Sequence, residues 1–284
     1  MTQIDQFESI FRSALRDVFV YEPVVIRTAL LITDRRQSEA QDFLLDVRRF
    51  LAVLGTNVGW QVFGDENRFS TLDVLSKIEQ TKPDLVCTYR NLHDEAWRHP
   101  HSLGEHLDVL LQKTDAPVVI LPHPDADYAH AHAMEDTNNV MAMTGHLAND
   151  PRLVNYAAAF TATAGTLYLS HLEDGAVFER YMAAISKIPD IDSDVAREKI
   201  AVQLLKEPRD YAAGSARVLK ENRPDLSVEM GIAFGHRLSE YKRAIGEHEI
   251  DLLVMNAKDD DQLAMHGLVY PLAIELRQIP LLML

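Results

Sequence analysis

Residues Asn139–Asp174 read NVMAMTGHLANDPRLVNYAAAFTATAGTLYLSHLED. The stretch opens on an apolar run, Asn139–Thr144, that breaks at Gly145. Leu153, Tyr156, Ala157, Phe160 and Ala164 then recur at helical spacing, and Gly165 closes the segment. A second apolar run follows, Thr166–His171. Runs without in-and-out alternation are typical of parallel strands covered on both faces, and a 3.6-residue stripe between two of them is the connecting helix. Such connections are right-handed, so the stretch predicts one βαβ unit of a doubly wound sheet.

The same order of events recurs toward the N-terminus. Thr28–Thr33 is an apolar run ending at Asp34; Phe43, Leu44, Val47, Phe50, Leu51 and Leu54 form one helical stripe, and Gly55 follows as a helix-ending glycine. Downstream the repeat is closer. VGWQVFG at 58–64 resembles VEMGIAFG at 228–235. Each is followed by a short helical stripe (Leu72, Leu75, Ile78; Leu238, Tyr241, Ile245) and by a buried-strand signal opened by an acid, Asp84 or Asp251. Gly104 and Gly267 each stand thirteen residues before a proline, Pro117 and Pro280, which introduces a pure apolar run, Val118–Leu121 or Leu281–Leu284.

The expected fold is therefore α/β: two tandem doubly wound parallel sheets, with four strands in the first and five in the second. Thr166–His171 and helical material from about Val177 to Leu219 have no counterpart in the first half, which lacks one strand–helix unit. The expected boundaries are an N-terminal amphipathic helix over 1–23 (Ile4, Phe7, Phe11, Ala14, Val18), a first domain over 24–123, a polar, turn-rich linker over 124–138 and a second domain over 139–284. The helix either caps a sheet or packs across the halves. A bare apolar edge strand invites aggregation, so the closing runs are expected to pair. They can pair with each other as an intramolecular pseudo-dimer, and further as a homodimer.

Composition narrows the function. The 284 residues carry a formal charge of −15, which repels phosphate backbones and anionic lipid and argues against nucleic-acid or membrane partners. One cysteine, Cys87, permits neither an intramolecular disulfide nor a cysteine-based zinc site. No apolar run is long enough to span a bilayer, and the N-terminus lacks the order of a signal peptide, so the expected location is cytoplasmic. No Walker A sequence, nucleophile elbow, HExxH motif or GxGxxG fingerprint is present.

The stretch Asn139–Asp174, the run Asp251–Asn256 (DLLVMN) and the glycine-to-proline-to-strand closure in both halves together resemble the universal stress protein family in its tandem form, over roughly residues 24–121 and 139–284. The resemblance implies an adenine nucleotide alpha hydrolase-like fold. In many members it also implies an ATP site built from Gly-x-x-Gly after the fourth strand, then a Gly-Ser or Gly-Thr pair that opens a helix. Bare backbone N–H groups and a helix N-terminus are what a polyphosphate needs.

This chain departs from that pattern twice. In the first half the glycine positions fall near Tyr89 and Leu92, and the final pair is Gly104-Glu105, which sets a carboxylate where a phosphate would sit. Asp34 keeps the family's first-strand acid. In the second half the loop is Asn256-Ala-Lys258-Asp, the final pair is Gly267-Leu268, and Thr144 replaces the acid. Asn256 tolerates a left-handed backbone and Lys258 offers a charge for phosphate, which favours the second half.

The candidate ligand-binding residues are thus Thr144, Gly145, His146, His171, Asn256, Lys258 and Gly267 in the second half, and Asp34, Tyr89 and Gly104 in the first. No catalytic residue is expected. His99, His101 and His106, and His123, His130 and His132 with the linker acids, have the chemistry for zinc or nickel; their spacing matches no known cage, and a solvated loop is the favoured reading. The resulting expectation is a regulatory, stress-response binding module, not an enzyme, that recognises a small ligand or a protein partner and does not hold ATP in the usual way. The alternative is a switch that binds ATP or AMP with slow or no hydrolysis.

Overall fold

The computed structural model describes residues 19–64, 67–99, 102–144, 150–235, 237–257 and 269–284. Nine strands form one sheet: β1 Thr28–Ile32, β2 Gly59–Phe63, β3 Leu85–Tyr89, β4 Val118–Leu121, β5 Asn139–Thr144, β6 Thr166–Asp174, β7 Ser227–Gly235, β8 Leu252–Met255 and β9 Leu281–Met283. The helices are α1 Gln37–Phe50, α2 Thr71–Thr81, α3 Glu105–Lys113, α4 Pro151–Phe160, α5 Gly175–Ile185, α6 Ser193–Asn222, α7 Arg237–Glu247 and α8 Val269–Glu275.

The strand order is β2-β1-β3-β4-β9-β8-β5-β6-β7. It contains two doubly wound halves, β2-β1-β3-β4 and β7-β6-β5-β8-β9. Every pairing is parallel except that between β4 and β9, which are antiparallel with Val118 opposite Met283 and Ile120 opposite Leu281. The central strands are buried along their whole length, as expected for a sheet covered on both faces.

Because β4 and β9 also lie beside β3 and β8, neither closing strand keeps a free edge. The expected homodimer through these strands therefore has no open ladder to use; the outer strands of the sheet are β2 and β7.

Two details correct the repeat. By sequence β2 matches β7, yet β2 lies against β1, the place β6 takes against β5. The short half thus lacks its outermost strand in space. The run expected to end at His171 continues to Asp174, because β7 pairs with all nine residues of β6. The expected N-terminal helix lies mostly outside the described residues, and residues 19–23 are not helical. There the backbone is held to the second half by Asn155 of α4, whose side chain accepts from Glu22 N–H at 3.1 Å and donates to Val20 O at 3.1 Å.

The acid that opens each third-strand signal is a strand clamp. Asp84 accepts the backbone N–H groups of Arg27 (2.8 Å) and Thr28 (2.9 Å) at the start of β1, and Asp251 accepts that of Asn139 (2.8 Å) at the start of β5. The same residue does the same work in both halves. Gly55, at φ 83°, closes the short 3-10 turn Ala52–Leu54 that follows α1, whereas α1 itself is capped by Leu51.

Candidate functional site: two crevices bridged from within

In an open α/β sheet the ligand crevice lies at the carboxyl ends of the strands where the winding reverses. Here that point falls between β1 and β3 in the first half and between β5 and β8 in the second.

Thr33 and Asp34 leave β1 on one side of the first crevice, and Tyr89 ends β3 on the other. The phenol of Tyr89 is fully buried, edge-on to Phe43 (centroids 5.6 Å apart) and His123 (5.0 Å). Its hydroxyl lies 2.8 Å from Thr33 Oγ1, accepts from Asp34 N–H (3.1 Å) and donates to the Asp34 carboxylate. The second carboxylate oxygen accepts the backbone N–H of His93 at 2.5 Å. Burial, followed by the bond to Asp34, pushes the phenol above its ordinary pKa, so it stays a donor.

The loop after β3 is shaped for this contact. Asn91 and His93 hold left-handed backbone, φ 55° and 61°. Asparagine visits this region readily; for His93 it is a strained conformation. Gly104, at φ 91°, packs on the loop so closely that a Cβ there would lie 2.8 Å from Asn91 Cα and 2.9 Å from Asn91 N. The sequence places the special loop positions at Tyr89 and Leu92. The structure puts them at Asn91 and His93, and buries Leu92. Phe69 covers the loop, with its ring 4.4 Å from that of His93 and 5.4 Å from that of His106. Burial, then the neighbouring His93, lowers the pKa of His106, and burial pushes His123 down to about 4.

Groups that a triphosphate would use in the first crevice are already engaged. The N–H of His93 is given to Asp34 and that of Asn91 to Leu103 O (3.0 Å). The first turn of α3, whose positive end would face the phosphates, already carries Glu105 and Asp108.

The second crevice repeats the closure with other residues. Asn256, following β8, donates to the carboxylate of Asp150 at 2.5 Å, while the other oxygen of Asp150 caps α4 by accepting Leu153 N–H at 2.9 Å. Asn256 is not among the left-handed residues; its side chain is held by the bond to Asp150. The backbone of Thr144 ends β5 opposite His171. His171 lies within β6, which continues past it to Asp174, and is buried, with Nε2 3.4 Å from Glu173 Oε2. Gly145, His146, Lys258 and Gly267 lie outside the described residues. Asp150 was legible only as a helix start, through the Asp-Pro pair before a helical stripe.

On the edge of the first crevice Arg90, 3% exposed, follows Tyr89 directly and reaches across to the second half. Its guanidinium donates to the carbonyls of Ala273, Ile274 (3.3 Å) and Leu276 (3.1 Å) at the end of α8. Burial lowers its pKa to about 10. Carbonyls at a helix end have no intrahelical donor, and the helix dipole favours a cation there. The equivalent position in the second half is Ala257, so this tie runs one way.

Among the described residues no three histidine, cysteine, aspartate or glutamate side chains are placed to hold a metal. His130 and His132 stack on each other, 5.4 Å apart, and burial raises the pKa of the Cys87 thiol far above its ordinary value.

No family model matches the chain, and no curated protein matches it. Among solved structures it is similar to a universal stress protein from Archaeoglobus fulgidus (12% identity, 90% of this chain, 86% of that chain, TM-score 0.49). It is also similar to a protein of unknown function from Pseudomonas aeruginosa (11% identity, 91% of this chain, 92% of that chain, TM-score 0.49). Universal stress proteins are thus among the solved structures this chain resembles, and the doubly wound α/β assignment itself stands on the strand order and register given above.

Proposed function

We propose that this chain is a universal-stress-protein-like regulatory binding module that acts by recognition and not by turnover, and that it does not hold ATP through the usual phosphate loop. The observation that carries this reading is the closure of the first crevice. Asp34, which the resemblance aligns with the family's first-strand acid, is engaged by Tyr89 and His93, and Glu105 and Asp108 occupy the first turn of α3, where a phosphate would need positive partners. The second crevice supports it through Asn256 and Asp150. A ligand for either crevice must replace these bonds, so the candidates are small neutral or cationic molecules that offer donors to a carboxylate, or a protein partner.

The second reading is a switch that binds ATP or AMP. What favours it is the retention of Asp34 at the end of β1, with its side chain 20% exposed. Calorimetric titration separates the two. The first reading predicts no heat with ATP or AMP at millimolar concentration; binding in the micromolar range contradicts it. A cytoplasmic location belongs to the same proposal; among the described residues no helix is long and apolar enough to cross a membrane.

A further inference from the structure

Residues 166–235, which include the one strand the first half lacks, form one outer end of the sheet. Strand β7 is its last strand and, among the described residues, pairs with β6 alone, leaving the other side of a nine-residue ladder open there. Long open ladders recruit another strand unless something blunts them. The neighbouring helices leave several apolar side chains exposed among their charged ones. Tyr181 on α5 is 58% exposed, Leu204 on α6 is 38% exposed and Met230 on β7 is 53% exposed. At the seam of α5 and α6 lies a groove of 310 Å³, with Tyr181, Ile185, Ile200 and Leu204 in its walls. Met230 shares its strand face with Phe234, whose ring meets Phe178 of α5 at 4.7 Å, so the strand and the groove form one surface.

Charge identifies the occupant. The whole chain carries −15, and two copies repel one another over most of their surface. Residues 175–222, spanning α5 and α6, carry eight Lys or Arg and eight Asp or Glu, a net charge of zero. This is a region on which a second copy can settle without that repulsion, and it is where apolar side chains are left in water. Alternating charges of both signs are also self-complementary across a two-fold axis. The chain already pairs equivalent strands in this way internally, β4 against β9.

We propose that β7 with the α5–α6 groove is a homodimer interface, in which β7 of two copies pair antiparallel about a two-fold axis and the exposed apolar side chains of α5 and α6 cover each other. The partner is a second copy of this chain, and the contact is distinct from the closing strands.

The test is sedimentation velocity of the full chain in physiological salt, up to about 100 µM, a range that reaches the weaker specific interfaces. The expected result is a monomer–dimer equilibrium. Met230→Lys at the ladder and Leu204→Glu in the groove should each raise the dissociation constant at least about tenfold, as loss of a central contact does. Both variants should keep the wild-type circular dichroism and, at concentrations where the chain is monomeric, the wild-type urea midpoint. Leu72→Glu, at an exposed residue of α2 in the other half, should leave the equilibrium unchanged. A chain that stays monomeric throughout overturns the proposal. So does a dimer that survives both interface changes, and so does open-ended association in place of a closed pair.

Discussion

Replacing Tyr89 by phenylalanine tests the closed crevice with the smallest possible change. The ring stays, fully buried between Phe43 and His123, and only the hydroxyl is lost. That hydroxyl donates to the Asp34 carboxylate and lies 2.8 Å from Thr33 Oγ1. A hydrogen bond to an ionised acceptor contributes about 1.5–3 kcal/mol, and a neutral one about 0.5–1.5 kcal/mol. Three terms offset the sum. Asp34 keeps the N–H of His93, Thr33 Oγ1 still accepts from Arg35 N–H at 3.2 Å, and the variant no longer desolvates a hydroxyl. The expected loss is about 2–3 kcal/mol, read as a lower urea midpoint at unchanged slope. Slower exchange of the His93 amide in wild type than in the variant is the local signature. A loss below about 0.5 kcal/mol, the scale of an inconsequential surface change, refutes the reasoning, because the bond would then not be holding the crevice shut.

Burial, as the leading cause, raises Asp251 from an ordinary carboxylate to about 6. The folded chain therefore takes up this proton before the unfolded chain does; the contribution is fully present below the ordinary carboxylate pKa and is lost as pH rises through about 6. Asp251→Asn keeps an acceptor for Asn139 N–H and should gain about 2–3 kcal/mol at pH 7 relative to wild type, with the gain vanishing near pH 4; identical melting-versus-pH curves for the two proteins contradict this. Arg90→Met strips donors from three carbonyls at the end of α8 and should cost about 3 kcal/mol or more, with loss of amide protection in residues 269–276. Gly104→Ala combines φ 91° with contacts of 2.8 and 2.9 Å to the Asn91 backbone, so it should destabilise by more than about 1 kcal/mol and displace the loop that presents His93 to Asp34; a neutral Gly104→Ala would show that this packing is loose.

Much of the fold is legible in the sequence because buried parallel strands announce themselves. Val118–Leu121 and Leu281–Leu284 read as unbroken apolar runs, and their need for cover pointed to the β4–β9 pairing that joins the halves. What periodicity cannot supply is position across the sheet. The matching of 58–64 with 228–235 is correct as sequence, yet β2 takes the place of β6, since neighbour choice depends on which strands exist to pair. The candidate site is legible only in part. Asp34, Tyr89 and Gly104 do converge, but the sequence presented them as a failed phosphate loop, and not as residues that bond or pack around one another. The left-handed backbones of Asn91 and His93 have no one-dimensional signal, because ordinary side chains there are held by tertiary contacts. Arg90 was invisible for the same reason: its partners are backbone carbonyls more than 180 residues away.

The account rests on both crevices being closed by the chain's own carboxylates. A crystal structure of the protein grown with millimolar ATP and magnesium tests this most directly. The account predicts that Tyr89 and His93 remain on Asp34 and Asn256 on Asp150, with no phosphate density against residues 89–93 or 256–257. A triphosphate seated on those backbone N–H groups, with either carboxylate swung away, would contradict it.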